Sequence, residues 1–255
     1  MATFYSPRIV TDGLLLHLDA GNNRSFVSGS TSWNDLSGLR NNFTLYNSTY
    51  YSFDPASFSI AFTRTMPPTA ENGGYGAITG TGPLTVQNYL YNNHTTELFA
   101  RINDRNPSNY DSTEILSALF VYRGYHAMFY YLSSSLLYEI WNGTSGLVAA
   151  PTMSISSSNA DIIQGQWFHV CVVRSGNTMN SYINGVSKGI SSFTAPSSAG
   201  VQTTNELKIA QGNPIGQQYT WTSNCNVSTI RMYNRALSAS EVRQNYNATK
   251  GRFGL

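Results

Sequence analysis

The stretch from Gly165 to Val186, GQWFHVCVVRSGNTMNSYINGV, has the pattern of a β-hairpin. Its first half alternates as a strand does, and one face of that strand holds Trp167, His169, Cys171 and Val173. Turn residues at 175–177 separate it from a second strand, Thr178–Ile183, which ends at Asn184-Gly185. Because both faces of the hairpin are largely apolar, we expect it to lie centrally in a sheet that packs against another sheet.

A second stretch, STIRMYNRALSASEVRQNYN from Ser228 to Asn247, predicts a strand followed by a helix. Val227–Tyr233 alternates as a strand, and Asn234-Arg235 turns the chain. Ser238 and Glu241 have the spacing of a capping box, in which the two side chains satisfy each other's free backbone N–H groups. The helix is expected to be about two turns long. Three residues are available to anchor it: Leu237, Val242 and Tyr246.

Many other short segments have strand character and are separated by turn residues. The clearest are Ile9–Asp19, Phe43–Tyr46, Leu98–Ile102, Glu114–Tyr122, His126–Leu132, Leu136–Trp141, Thr152–Ile155 and Glu206–Ala210. Residues 54–96 read mainly as loop, because proline and glycine interrupt short apolar pieces. The run Gly73-Gly74-Tyr75-Gly76 lacks the Gly-Lys-Ser/Thr of a phosphate-binding loop, so we interpret it as an ordinary loop. A charged fraction of only 11% beside 13% aromatic residues also favours strands over long helices, and we predict one all-β sandwich.

Charge and targeting signals exclude several classes of partner. The formal net charge of +2 is too small to indicate a nucleic acid or a membrane surface, and Lys and Arg form no cluster. Met1–Val10 lacks the features of a secretory signal, and no apolar run is long enough to cross a membrane. We therefore expect a chain made without its own export signal. Its cysteines, Cys171 and Cys225, are expected as two separate buried thiols, although a disulfide is left open.

The landmarks of the C-terminal half resemble those of laminin-G-like domains, which belong to the concanavalin A-like lectin/glucanase superfamily. The resemblance is carried by Trp167–Val170, Ser181–Gly185, Ile230–Ser238 and Glu241-Val242. It implies a two-sheet antiparallel jelly roll with one short C-terminal helix. The structural landmarks that it implies are Trp33, Trp167, Asn184, Gly185, Tyr233, Leu237, Ser238 and Glu241.

The N-terminal third is similar to the opening of laminin-G-like structural proteins of tailed bacteriophages, marine ones especially, through Pro7–Leu14, Leu18–Asn22 and Trp33–Gly38. This resemblance implies a non-enzymatic virion protein, assembled in the host cytoplasm, that serves as a capsid decoration or a short head-fibre or tail-appendage protein. Its partners would be other virion proteins, and homo-oligomerisation is left open. We predict a docking leader at residues 1–10, a jelly-roll domain at 11–248 and a C-terminal tail at 249–255, the leader and tail being candidates for docking.

Catalytic motifs need to be considered because some members of the superfamily cleave glycans. Retaining glucanases of this fold carry Glu-x-Asp-x-x-Glu on one strand. None of the six glutamates starts that pattern: Glu71, Glu97, Glu114, Glu139, Glu206 and Glu241. A Gly-x-Ser-x-Gly elbow is also missing, and the four histidines lack metal-ligand spacing. We therefore predict no catalytic residues, and we interpret His169 as a packed or hydrogen-bonded core residue.

Calcium and glycans are the remaining ligands to consider. Several laminin-G-like and pentraxin-like relatives hold calcium near the rim of the sandwich, and Asp19, Asp35 and Asp54 lie at strand ends or loops and could contribute oxygens. The chain has no contiguous acidic loop, so capping and turn roles are favoured, and no cofactor is predicted, with calcium left open. Trp33 is interpreted as a structural plug. The alternative function is a lectin-like module for a host or environmental polysaccharide, because sugar sites combine aromatic platforms with Asn and Asp. Aromatic residues in or beside predicted loops are Tyr89, Tyr91, Tyr110, Trp141, Tyr219 and Trp221. Ordinary packing and a protein interface are the other interpretations of these residues.

Overall fold

A computed structural model of the chain describes residues 7–64, 73–84, 89, 92–103, 116–122, 127–132, 135–141, 147–149, 152–154, 162–192, 207–212 and 221–255. The strands are β1 (Leu14–Asp19), β2 (Ser32–Trp33), β3 (Phe43–Tyr46), β4 (Tyr51–Asp54), β5 (Ser59–Phe62), β6 (Tyr75–Ile78), β7 (His94–Ile102), β8 (Leu116–Tyr122), β9 (Ala127–Leu132), β10 (Ser135–Trp141), β11 (Leu147–Ala149), β12 (Thr152–Ser154), β13 (Trp167–Ser175), β14 (Thr178–Ile183), β15 (Val186–Ser192), β16 (Leu207–Ile209), β17 (Gln211–Gly212), β18 (Trp221–Thr222) and β19 (Cys225–Tyr233). The helical segments whose bounds lie within the described residues are two 3-10 turns, Ser48–Tyr50 and Lys250–Phe253, and the α-helix α1 (Ala239–Thr249).

Two antiparallel sheets form a sandwich, which confirms the predicted fold class. The first sheet has eight strands in the order β15-β14-β13-β7-β19-β5-β4, with β1 also paired to β19. The second has nine strands in the order β11-β10-β9-β8-β16-β6-β3-β2, with β12 also paired to β10. Strands far apart in the chain are neighbours in both sheets, as in a jelly roll.

The predicted hairpin is confirmed as β13 and β14, with Val170 opposite Ile183. Strand β13 lies between β14 and β7, so the hairpin is central, and β15 forms the edge of the sheet beyond it. The turn between β14 and β15 has positive φ at Asn184 (51°) and Gly185 (73°). These angles are typical of the tight turns that join adjacent antiparallel strands.

The apolar core fills the space between the sheets. The inner face of the first sheet contributes Leu16, Leu18, Ile60, Phe62, Leu98, Ala100, Ile102, Phe168, Val170, Val172, Val227, Ile230 and Met232. The second sheet contributes Trp33, Phe43, Leu45, Tyr138, Leu207 and Ile209. The predicted alternation of β13 is confirmed, because Phe168, Val170 and Val172 point inward while Cys171 and Val173 belong to a separate cluster on the outer face.

Helix α1 covers that outer face. Its predicted capping box is present: Oγ of Ser238 accepts from the backbone N–H of Glu241, and the Glu241 carboxylate accepts from the backbone N–H of Ser238. The predicted length of about two turns was wrong, because α1 runs from Ala239 to Thr249. The C-terminal part of the helix buries Asn245 and Thr249. Because both residues are polar, the helical spacing of apolar residues, from which the length was predicted, does not extend over this part.

The largest difference from prediction lies in the glycine-rich segment. Tyr75 and Gly76, interpreted as loop, begin strand β6. A Cβ on Gly76 would lie 3.2 Å from Cδ2 of Leu45, and a Cβ on Gly74 would lie 2.3 Å from the carbonyl oxygen of Tyr50. Glycine therefore allows close approach of the backbone within a sheet here.

Three further outcomes concern the first strand, the thiols and membrane segments. The strand predicted over Ile9–Asp19 begins only at Leu14. Cys171 and Cys225 are both free and buried, as favoured. Among the described residues, no helix has the length and apolar character needed to span a bilayer.

Candidate functional site

Charged side chains lie buried between the first sheet and helix α1. Nη1 of Arg231 donates to Oε1 of Glu97 at 2.8 Å, and Nε2 of His169 lies 3.3 Å from Oε2 of the same carboxylate. Nη2 of Arg231 also donates to Oγ1 of Thr249, in the last turn of α1, at 2.8 Å. Burial alone would raise the pKa of Glu97, but the hydrogen bond from His169 and the charge of Arg231 hold it below its usual range. This network ties the helix to the sheet.

The three aspartates considered for calcium have partners within the chain. Asp19 accepts from Nη1 and Nη2 of Arg252 at 2.6 and 3.1 Å. Asp54 accepts from the backbone N–H of Ala56 at 3.0 Å. Asp35 accepts from the backbone N–H groups of His17, Ser37 and Asn41. Within the described part of the chain, no three His, Cys, Asp or Glu side chains form a group that could hold a metal ion.

In the part of the chain that the structure describes, the aromatic residues considered as a sugar platform do not form a cluster. Tyr89 is buried, and its hydroxyl donates to the carbonyl oxygen of Thr95 at 2.7 Å, so it is a core residue. Trp141 and Trp221 lie in strands β10 and β18, with side chains outside the described part of the structure. The remaining candidates lie outside the described residues: Tyr91, Tyr110 and Tyr219.

The two tryptophan landmarks take part in internal packing. Trp33 is fully buried in the core between the sheets. Trp167 is half-buried at the start of β13, where it stacks on Phe253 with ring centroids 4.4 Å apart. Phe253 also stacks on Phe99 at 5.2 Å. These contacts attach the segment after α1 to the outer face of the first sheet.

Three other landmarks fix the chain around α1. Oδ1 of Asn184 accepts from the backbone N–H of His169 at 2.9 Å. Gly185 lies directly beneath Tyr246, because a Cβ added there would come within 2.9 Å of the Tyr246 ring. The hydroxyl of Tyr233 donates to the carbonyl oxygen of Val10 and accepts from Nδ2 of Asn245.

A surface groove of about 410 Å³ opens between the outer face of β13–β15 and the start of α1. We call it the helix groove. The strands contribute Val173, Ser175, Thr178, Asn180, Tyr182 and Ile190; the chain leading into α1 contributes Ala236, Leu237 and Ser238, and the first turn of α1 contributes Glu241. Its size is within the usual range for sites that bind small ligands.

Internal hydrogen bonds orient the polar groups on the strand side of the groove. Nδ2 of Asn180 donates to the hydroxyl oxygen of Tyr182 at 2.9 Å, and Oγ of Ser187 donates to Oδ1 of Asn180 at 2.8 Å. Oγ1 of Thr178 donates to the carbonyl oxygen of Ser175 at 2.8 Å. Burial raises the pKa of Tyr182, so its phenol is neutral at pH 7. This side of the groove therefore presents neutral hydroxyl and amide groups.

The helix side of the groove contains one carboxylate, that of Glu241. It accepts from Nη2 and Nη1 of Arg235 at 2.6 and 3.1 Å, and from the backbone N–H and hydroxyl of Ser238 at 2.8 and 3.0 Å. The hydrogen bond from Arg235 lowers the pKa of Glu241 to about 2. The carboxylate is thus charged at neutral pH and occupied in holding the start of the helix.

The groove joins residues that the sequence analysis considered separately. Leu237, Ser238 and Glu241 were singled out at the start of the helix, and the structure places them opposite polar residues of the hairpin. The hairpin residues were not recognised as a site. The available signal was the alternation of polar and aromatic residues on one face of β14: Thr178, Asn180 and Tyr182.

A family model described as concanavalin A-like lectin/glucanases superfamily matches residues 72–243, more than half of the chain. No curated protein matches the chain in sequence.

Among solved structures, the binding domain of botulinum neurotoxin DC in complex with rat synaptotagmin II is similar, with a TM-score of 0.69 and 13% identity. A structure of botulinum neurotoxin type C, whose description names two ganglioside molecules, has a TM-score of 0.68 and 15% identity. The DC binding domain in complex with SialylT has a TM-score of 0.67 and 12% identity. Each alignment covers 94% of this chain and 52% of the toxin chain, so the chain spans about half of each toxin domain. At these identities the likeness shows the fold.

Proposed function

Because the chain belongs to the concanavalin A-like lectin/glucanase superfamily, we propose that it is a non-enzymatic carbohydrate-binding protein whose ligand occupies the helix groove. The single observation that carries this proposal is the groove itself, whose lining combines neutral hydrogen-bonding groups with apolar side chains. Sugars offer both hydroxyl groups and apolar C–H surfaces, so this combination suits them. Toxin domains of the same fold are described with SialylT or ganglioside molecules, so a glycan is a suitable class of partner to test; which glycan binds depends on the side chains of this chain's own groove.

The non-enzymatic part of the proposal is supported by the positions of two glutamates. Glycosidases need two carboxyl groups that flank the scissile bond. Glu97 is buried under α1 and paired with Arg231, while Glu241 accepts hydrogen bonds from Arg235 and Ser238. Both carboxylates hold the helix in place, and neither is free to protonate a leaving group.

The proposed setting is the virion of a tailed phage, as a capsid decoration, a short head fibre or a tail appendage. Its support is the resemblance of the N-terminal third to phage structural proteins. In this setting the sandwich would be displayed on the particle by contacts with other virion proteins, and the helix groove would bind polysaccharide on a host or in the environment. Mass spectrometry of purified particles from the source tests it: the chain should be present in stoichiometric amounts, and its absence would contradict the virion setting.

Substitution of Asn180 tests the groove. Asn180→Ala removes an amide that lines the groove and positions the Tyr182 hydroxyl. We expect affinity for a bound oligosaccharide, found on a glycan array and measured by titration calorimetry, to fall roughly tenfold or more. Ser192→Ala is the matched control, because Ser192 is exposed at the end of β15 and does not line the groove. Equal affinity for wild-type protein and Asn180→Ala would show that sugar binds elsewhere.

A further inference from the structure

We infer that the helix groove selects uncharged glycans and discriminates against acidic ones such as uronic acid, sialic acid or sulfated sugars. This inference rests on the proposed function and deepens it. The observation behind it is the charge of the groove wall, which contains one carboxylate and no Lys, Arg or His among its ten lining residues. Glu241 is paired with Arg235, which also pairs with Asp12, so this group of three charges is net negative, and no lining residue offers an acidic sugar a cation.

Arg235, the cation bonded to Glu241, is already neutralised. It donates to Glu241 at 2.6 Å and forms an ion pair with Asp12 at 2.8 Å. Arginines bind anions through a planar fork of donors, and this fork is directed at two carboxylates of the chain itself. Recruiting Arg235 to a ligand would also remove a partner from the capping residue of α1. The positive end of the helix dipole offers no substitute, because the Glu241 carboxylate lies in the first turn.

Neutral hydroxyl groups, by contrast, find complementary partners on the strand wall. The Tyr182 hydroxyl accepts from Asn180, which leaves its own proton to donate to a ligand. Ser175 lines the groove at an exposed position, and its hydroxyl can donate or accept. Val173, Leu237 and Ile190 supply the apolar surface against which C–H groups of a sugar ring can lie.

Matched neutral and acidic oligosaccharides of equal length test this selectivity. Oligogalactose and oligogalacturonate differ at C6, where a hydroxymethyl group replaces a carboxylate, and calorimetric titrations would include other neutral and acidic pairs found on an array. We expect the neutral member of each pair to bind roughly tenfold more tightly, because a like charge a few ångströms away is repelled. Tighter or equal binding of the acidic members would overturn the inference and leave the proposed function standing. If no glycan of either kind binds, the proposed function fails first.

A gain-of-function variant makes the test independent of loss of binding. Ser175→Lys places a cation in the lining of the groove, at an exposed position. We expect affinity for the acidic member to rise several-fold and this gain to shrink in high salt. Asn177→Lys carries the same charge on the neighbouring turn but outside the groove, and it should leave the preference unchanged. An equal gain in both variants would show that overall charge, and not the groove wall, sets the preference.

Discussion

The inner face of the first sheet and the part of its outer face beneath α1 are both buried, but by different chemistry. On the inner face, Leu98 and Ile230 pack against the second sheet. On the outer face, their neighbours Glu97 and Arg231 are buried under α1 with at most 2% exposure. At these positions alternate residues of the same strands obey opposite rules, since Leu98 and Ile230 are stabilised by leaving water, and Glu97 and Arg231 by pairing with each other.

This difference teaches that burial and hydrophobicity are separate properties of a strand position. The inner face would stay buried with many apolar side chains of suitable volume. The outer face depends on particular pairs, because a buried charge without its partner is strongly unfavourable. The outer face should therefore be the more sensitive of the two to a change that barely alters volume.

Glu97→Gln is the strongest test of whether the outer face depends on charge pairing. The side chain keeps its size, but Arg231 is left as a buried cation without its counter-charge. We expect the free energy of unfolding to fall by about 3 to 5 kcal/mol, measured by urea denaturation at pH 7. The lost ion pair also loosens α1, because Arg231 bonds to Thr249 at its end.

Leu98→Ala is the control on the same strand. It removes apolar volume from the inner face, and we expect a loss of about 2 to 5 kcal/mol from a cavity. The double variant Glu97→Leu with Arg231→Met should recover much of the stability lost in Glu97→Gln, since apolar residues of similar volume often replace a buried ion pair. If Glu97→Gln changes stability by less than an exposed substitution does, the outer face does not depend on charge pairing.

The features that the sequence predicted are those specified locally. Alternation and turn residues within a few positions define the β13–β14 hairpin, and Ser238 and Glu241 define the start of α1. In each case the residues that form the contact are near neighbours in the chain. Local physics is then enough to predict the element.

The remaining features depend on partners far along the chain. Glu97 and Arg231 are 134 positions apart, so nothing near Glu97 indicates that it is buried. Strand β6 begins at Tyr75-Gly76, where it pairs with β3 and the missing side chain of Gly76 leaves room for Leu45. The helix groove exists only because the sheet brings Asn180 opposite Ser238. Such juxtapositions are tertiary, and the sequence pattern of either partner does not contain them.

Two histidines, one on each face of the first sheet, should make the stability of the fold depend on pH. Nε2 of His94 lies 3.0 Å from the hydroxyl of Tyr138 and joins the two sheets, whereas His17 lies on the outer face opposite Arg231. Burial is the largest cause that lowers the pKa of each to about 3, and the charge of Arg231 adds to it for His17. Below pH 6.5 the unfolded chain takes up protons that the folded chain does not, so stability falls as pH decreases.

The expected slope for His94 is about 1.4 kcal/mol per pH unit, or about 2 kcal/mol between pH 6.5 and 5. His17 is partly exposed, so we expect it to contribute less. Urea denaturation at pH 7, 6 and 5 measures the slope, and this window avoids most titration of carboxylates. His94→Gln should reduce the dependence of the free energy of unfolding on pH more than His17→Gln does. This expectation holds even if either variant also changes the stability at pH 7. A wild-type profile that is flat over the window would contradict the predicted protonation behaviour of both residues.

The smallest expected effect concerns the contact between the β14–β15 turn and α1. Gly185 has φ of 73°, and a Cβ there would lie 2.9 Å from Cδ1 of Tyr246. Gly185→Ala combines backbone strain with displacement of the Tyr246 ring, so we expect a loss of about 1 to 2 kcal/mol in urea denaturation.

Gly176→Ala separates these two causes, because Gly176 has φ of 57° and a Cβ there would meet nothing within 4 Å. It should lose only the backbone part, about 1 kcal/mol. The excess at Gly185 then measures how firmly α1 is held against the outer face. A large excess means that the helix cannot yield, as expected where charge pairs fix its position. Equal losses in the two variants would mean that the Tyr246 ring moves aside freely, and that the outer face is held more loosely than the core between the sheets.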